Sequence, residues 1–415
     1  MSTTTDPATH VDPGTLFTDG ATFIDLEGWH RAVDQLRDTG PFLRFDDDVH
    51  GTLWATVDLE VLLEVSRRAD VFASTTAPLL PPKLAGDAPD ISEVGAQLKM
   101  LINQDGHDHL VHRKLVVEWF KNSTLRVLKP AVDTLVAESM ERLRELGGEC
   151  DFSTEVALPL PLRVIMSMLG VPREDEPVLL KLTQQMFSAE DDELGEGDPF
   201  TAMMEVAGYF TELMQDRQAN PTDDLSSAIA NGMVEGAPLE AMTAIGLYVI
   251  IATAGHDTTS FAMAGGVDAL CRFPDEFARL RADPSLVDNA AHEVVRLTSP
   301  VRHFVRHAQT DAEVAGHTFA AGDRILLSYP GANRDPQLFD DPHRLDVARS
   351  NANRQIGWGH GPHFCLGSRL AQMEVAAVLG GLAREFTSIE RTGPTTFTKS
   401  HFVGGAKHVP IRCTV

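Results

Sequence analysis

Several things are scarce in this sequence, and each shortage excludes something. Its 415 residues hold four cysteines, at positions 150, 271, 365 and 413, with no paired spacing. That excludes a disulfide framework and argues against a structural zinc site, so Cys150, Cys271 and Cys413 are expected to be buried, reduced thiols of a cytoplasmic protein. Positive charge is short: 35 Lys and Arg stand against 60 Asp and Glu, a formal charge of −25. A chain of that sign is a poor partner for nucleic acid or an anionic membrane. With three Tyr and four Trp, Phe and aliphatic side chains must build the core. No apolar run is long enough for a bilayer: the longest reaches Asp257 after about a dozen apolar residues, where a span needs ~18–20. The first thirteen residues are polar and Thr-rich, so no leader or membrane anchor is expected. There is no internal repeat, no low-complexity tract and no dinucleotide fingerprint. Gly357-x-Gly359-x-Gly361 has the wrong spacing and no βαβ surroundings. Electrons for any redox chemistry must therefore come from another protein.

What is present concentrates at Gly357-Trp358-Gly359-His360-Gly361-Pro362-His363-Phe364-Cys365-Leu366-Gly367. Helical spacing follows at once in Leu366, Leu370, Met373 and Ala377, with Glu374 between them. A glycine-rich loop that ends in cysteine and opens a helix is a place to hold a thiolate. Helix N-terminal N–H groups favour the anion, and glycines let the backbone approach whatever the sulfur binds. An anionic sulfur with an open side suits a soft metal or a haem iron. On these residues alone a structural cysteine, a zinc site from His360, His363 and Cys365, and a nucleophilic cysteine stay open.

Other stretches carry chemistry too. Residues 239–272 read as one long helix through the core, with Gly255-His256-Asp257-Thr258-Thr259 at its middle. Glycine and threonine weaken helices, and a buried aspartate is costly, so this sequence serves a function. Thr258 can bond back to its own helix and donate toward a bound ligand, Asp257 can relay protons, and His256 is given no role. His109 and Arg113 share one helix face at i, i+4. Glu293 and Arg296 stand at i, i+3, and Pro300 ends that helix before an extended segment. Helices are also expected at 27–40, 58–68, 127–147, 154–171 and 174–187, and strands at 42–45 and 53–57. The acidic run 188–199 reads as a mobile loop, and 401–405 as part of a hairpin.

The cysteine segment resembles the haem-binding loop of the cytochrome P450 family, Phe-Gly-x-Gly-x-His-x-Cys-x-Gly, with Trp358 in place of the usual Phe. The resemblance extends from about residue 20 to the end, through five motifs in the family's order. It implies a mainly α fold with smaller β regions (α+β), a single triangular α-rich catalytic domain over 16–415 with a minor β subdomain, after a flexible 1–15. It implies haem b, with Cys365 on the iron and Trp358, Gly359, His363 and Gly367 around it. His109, Arg113 and Arg306 are expected on the propionates, with Arg302 as competitor to Arg306. Gly255 would leave room for a diatomic ligand, and Asp257 and Thr258 would route protons. Glu293, Arg296 and Arg344 would form a buried ionic cluster. Leu79, Leu80, Ile251, Ala254, Val301, Phe304 and Phe402 are expected around the substrate, with the apolar stretch 75–90 leading into a lid.

The implied activity is hydroxylation with O2 and two electrons from a ferredoxin. An NAD(P)H-dependent reductase would feed the ferredoxin, which would dock where Arg113, Lys114 and Lys121 add positive charge. A monomer is expected. Segments 162–166, 180–184, 251–260 and 402–405 look like terpineol-hydroxylating bacterial members. That suggests a monoterpene or alkyl-substituted aromatic such as terpineol, p-cymene or cumene. A sterol side chain, a fatty acid, or a peroxide-driven haem-thiolate enzyme are the alternatives.

Overall fold

Helices and strands start where local chemistry allows. In the computed structural model, which describes residues 12–75, 77–83 and 98–415, Asp25 accepts a hydrogen bond from the Gly28 N–H and opens the helix Leu26–Arg37. That helix buries Trp29 and Val33. The strands expected at 42–45 and 53–57 are the antiparallel hairpin Leu43–Asp47 and Gly51–Thr56. It joins a sheet in the order Leu43–Asp47, Gly51–Thr56, Arg324–Ser328, His303–Ala308, Phe72–Ala73. The rest is helical. Asn122–Glu145, Asp257–Arg272, Val287–Thr298 and Ser368–Glu385 pack on one another around a continuous core of Leu, Val, Ala and Met. The fold is thus α+β and mainly helical, and no helix among the described residues is long and apolar enough to cross a membrane.

Four expectations are corrected. Residues 1–11 of the expected flexible terminus lie outside the described residues, but Pro13–Thr18 is a helix. Asp12 caps it through the Thr15 N–H, and Leu16 and Phe17 are buried. The helix expected at 154–171 is a π-helical turn, Ser153–Ala157, followed by Pro159–Met168. Pro159 and Pro161 fall in the first turn, where a missing N–H has no intrahelical partner to lose. The lid expected over 75–90 is described only to residue 83.

The single helix expected over 239–272 is two, Ala241–Ala254 and Asp257–Arg272, broken at Gly255 and His256. The acidic run 188–199, read as a mobile loop, is an anchored one. Asp191 is buried and accepts from the Glu193, Leu194 and Lys399 N–H groups and from Lys407 Nζ at 3.0 Å. Glu190 Oε2 accepts from the His401 N–H at 2.9 Å and lies 2.8 Å from His401 Nδ1, while His401 Nε2 lies 3.2 Å from the Leu80 carbonyl. The C-terminal strands Thr396–Phe397 and Ala406–His408 form the hairpin that carries His401, Phe402 and Val403 in its connection.

Candidate functional site

The broken helix pair, the cysteine loop and the strand His303–Ala308 enclose about 1500 Å³ of space not filled by protein atoms. Cys365 lines it. The loop's shape is set by its backbone: Gly359 and Gly361 hold φ of +70° and +69°, which favour glycine. A Cβ at Gly361 would also run into the Ser66 carbonyl. The Cys365 N–H donates to the Trp358 carbonyl at 2.7 Å. Burial pushes the Cys365 thiol up, and the backbone N–H groups of Gly367 and Ser368 and the Arg113 guanidinium pull the other way. Guanidiniums offset burial only in part at Cys150 and Cys271, and the thiols of Cys150, Cys271 and Cys413 are pushed up to about 12. Burial prevails at Cys365 too, but among the described residues it is the one cysteine that lines the cavity, with helix-start N–H groups facing its sulfur.

Basic side chains converge on the same space. His109, Arg113, Arg306 and His363 all line it. Arg113 Nη2 donates to the Phe364 carbonyl at 2.6 Å, clamping the cysteine loop. His363 Nε2 lies 2.9 Å from Asp105 Oδ1, and its ring stands 4.5 Å from that of His109. Burial lowers His109 to about 4. Arg306 is buried, donates to its neighbour's Val305 carbonyl at 3.0 Å, and has no carboxylate at ion-pair distance among the described residues. A buried guanidinium without a counter-charge is expensive, and an oxyanion entering this cavity would relieve it. Arg302, its competitor, does not line the cavity and lies 4.6 Å over the Phe23 ring. The zinc alternative falls: His360 pairs with Arg67 and His363 with Asp105, and no three His, Cys, Asp or Glu among the described residues are placed to share a metal.

Opposite the cysteine, Ala254, Gly255, Thr258 and Thr259 line the cavity. Thr258 Oγ1 donates to the Ala254 carbonyl at 3.1 Å, bridging the helix break. A Cβ at Gly255 would meet Ile165 of the helix Pro159–Met168 and stand 2.7 Å from the Ile251 carbonyl, so the missing side chain admits the neighbouring helix at the cavity wall. Asp257 is buried but does not line the cavity, and its Oδ1 lies 3.3 Å from His256 Nε2.

The expected substrate residues divide. Ile251, Ala254, Val301 and Phe304 line the cysteine cavity. Leu79, Leu80 and Phe402 do not. They line a second, apolar space of about 930 Å³ with Met186, Phe187 and Met203, and Ile102 walls both.

The sequence model of the family described as Cytochrome P450 matches residues 87–409. The chain belongs to the cytochrome P450 family. It is similar to Cytochrome P450-terp from Pseudomonas sp, with 34% identity covering 94% of this chain and 95% of the relative. Steroid C26-monooxygenase from Rhodococcus jostii is 32% identical over 88% of this chain and 76% of its own length. The crystal structure of CYP108D1 from Novosphingobium aromaticivorans superposes with a TM-score of 0.87 at 35% identity, covering 97% of this chain and 98% of that one. A Mycobacterium marinum cytochrome P450 in complex with pseudoionone gives a TM-score of 0.87 at 27% identity, covering 99% and 100%. This P450 is a haem-thiolate monooxygenase with haem b as cofactor, using O2 and electrons from a redox partner. The ionisable sulfur, the apolar walls and the unpaired Arg306 fit such a group: a soft metal in a flat apolar ring that bears carboxylates.

This P450 also carries the ionic cluster, with one member changed. Glu293 accepts from Arg296 Nε and Nη2 at 2.7 and 2.8 Å. The third member is Arg349, whose Nε lies 3.0 Å from both Glu293 oxygens. Arg344 contributes only its carbonyl, to Arg296 and Arg349. Its side chain is 45% exposed and lies 3.7 Å from Glu276. Sequence reasoning also passed over Tyr329, which lines the cavity. It noted Glu374 but gave it no role, although helical spacing from Leu370 placed it there.

Proposed function

We propose that this P450 hydroxylates a small hydrophobic substrate, a monoterpene or an alkyl-substituted aromatic such as terpineol, p-cymene or cumene. Electrons come from a ferredoxin served by an NAD(P)H-dependent reductase, and the enzyme works in the cytoplasm as a monomer. The observation that carries this reading is the cavity wall away from Cys365. Ile165, Ile250, Ile251, Val301 and Phe304 give an apolar surface, and Thr258 and Thr259 are the hydroxyls on its helix side. Such a wall selects by shape and by loss of water, not by charge. The likeness to P450-terp and to the pseudoionone complex supports the terpenoid class.

Cys365 would hold the haem iron, and Arg306, Arg113, His109 and His363, which line the same cavity, would hold its carboxylates. When bound, the haem supplies activation of O2. The chain's own residues do the rest. The apolar wall positions the substrate and excludes water. Thr258 keeps its hydroxyl at the cavity face by bonding Ala254, and Asp257 behind it supplies protons. Thr258→Ala should bind substrate normally yet form less product per NADH, by roughly tenfold or more, within what a positioned proton donor contributes. The missing electrons should appear as hydrogen peroxide in a coupled assay. Tight coupling in that variant would remove Thr258 from the proton path.

A second reading has its own observation. The adjoining apolar space behind Ile102 would take the far end of a longer molecule, such as a sterol side chain or a fatty acid, and steroid C26-monooxygenases are among the relatives. A spin-shift titration decides, comparing α-terpineol, p-cymene and cumene with cholestenone and a long-chain fatty acid. A low-to-high-spin shift with the compact ligands is expected. A shift confined to the long ligands would transfer the assignment to the second reading.

A further inference from the structure

His256 is wholly buried at the helix break, and the roles above leave it unused. Its Nδ1 lies 2.8 Å from the Ala252 carbonyl, a group that only accepts, so Nδ1 carries hydrogen. Its Nε2 lies 3.1 Å from Thr183 Oγ1 in the helix Glu176–Phe187. That hydroxyl has one hydrogen and spends it on the Leu180 carbonyl at 2.9 Å, so it faces Nε2 as an acceptor. Asp257 Oδ1 stands 3.3 Å from the same nitrogen, fully buried and without any hydrogen bond. Every group around the ring is thus an acceptor. A bare buried carboxylate oxygen requires an opposite charge, and His256 is the one charged group in contact with it among the described residues.

We propose that His256 is a positioning residue for Asp257: a buried imidazolium that fixes the carboxylate at the helix break and ties it through Thr183 to the helix Glu176–Phe187. Burial opposes the charged ring, but the Asp257 carboxylate beside it prevails, and His256 is held above the ordinary histidine range. Asp257 is thereby held out of the cavity, one residue behind the Thr258 hydroxyl that faces it. The role rests on the proposed supply of protons through Asp257 and Thr258.

The test uses the holoenzyme labelled with 15N-histidine, with the His256 signals assigned by their loss in His256→Leu. Both ring nitrogens should remain protonated well above the ~6.5 of free histidine. His256→Leu should leave the haem spectra and substrate dissociation constant unchanged, lower product per NADH several-fold and raise peroxide. His256→Gln, which keeps a donor toward Asp257, should recover part of that loss, and it serves for assignment if the leucine variant does not fold. His256→Leu added to Asp257→Asn should lose nothing beyond Asp257→Asn alone. A neutral His256 at neutral pH, full coupling in His256→Leu, or losses that multiply in the double variant would overturn the proposal. Absence of hydroxylated product from the wild type would instead overturn the proposed function, while the nitrogen signals would still report on the ion pair.

Discussion

Cys365→Ala should remove hydroxylation altogether and leave a folded protein. Beyond the Gly367 and Ser368 N–H groups that face the sulfur, the loop has three restraints that do not pass through it. The Cys365 N–H to Trp358 bond, the left-handed glycines 359 and 361, and the Arg113 clamp on the Phe364 carbonyl all survive the substitution. What is lost is the one thiol among the described residues that lines the cavity, met there by backbone N–H groups and a guanidinium. No other cysteine can replace it, because Cys150, Cys271 and Cys413 do not line the cavity and burial holds them protonated. The measurement is product formation with saturating electron donor, together with the Soret band of the reduced carbonyl complex. That band should lose its thiolate position even where haem is still retained by the surrounding walls and cations. Unchanged turnover would refute Cys365 as the iron ligand.

The largest stability effect is expected at Glu293. It is fully buried and accepts from Arg296, from Arg349 and from the Asp346 N–H at 3.1 Å. Glu293→Ala leaves two guanidiniums facing each other without their shared anion, and should cost about 3–5 kcal/mol, as for other broken buried pairs. Arg349→Ala should fall near the same range. Arg344→Ala should cost no more than ~1 kcal/mol, because its half-exposed side chain makes only a long pair with Glu276 and a contact over the Phe273 ring. Denaturant midpoints of the three variants, read by far-UV circular dichroism, check the order. If Arg344→Ala and Arg349→Ala proved equally harmful, the cluster drawn here would be wrong.

Arg344 and Arg349 show where sequence reading stops. Both follow the same Asp-Asp-Pro turn, and either could reach Glu293 by spacing alone. The choice is made by the path of the chain. Asp341 takes a left-handed φ of +45°, and the Asp340 carbonyl receives Arg349 Nη1 at 2.6 Å. The cysteine loop was legible because its determinants are local: glycines where the backbone turns left-handed, and N–H groups at a helix start. Thr258 was legible for the same reason, since its bond to Ala254 lies within one helical turn. The close approach at Gly255 was not, because it involves Ile165, ninety positions away. The acidic run was misread for want of its partners. Lys399 and Lys407 lie more than 200 positions from Asp191, and local composition carries no trace of them. Leu79, Leu80 and Phe402 were rightly placed near a pocket, but only the folded chain shows that Ile102 separates them from the cysteine.

The staple between Glu190, His401 and the Leu80 carbonyl has a consequence for how this enzyme could change its diet. Three segments remote in sequence share one histidine, and together they wall the outer space. A substitution at Glu190 strands the imidazole, and one at His401 strands a buried carboxylate, so either alone carries a penalty that the other can cancel. Variation in this wall is therefore epistatic. Libraries or lineages that reach for bulkier ligands are expected to alter the acidic run 188–199 and the C-terminal hairpin together.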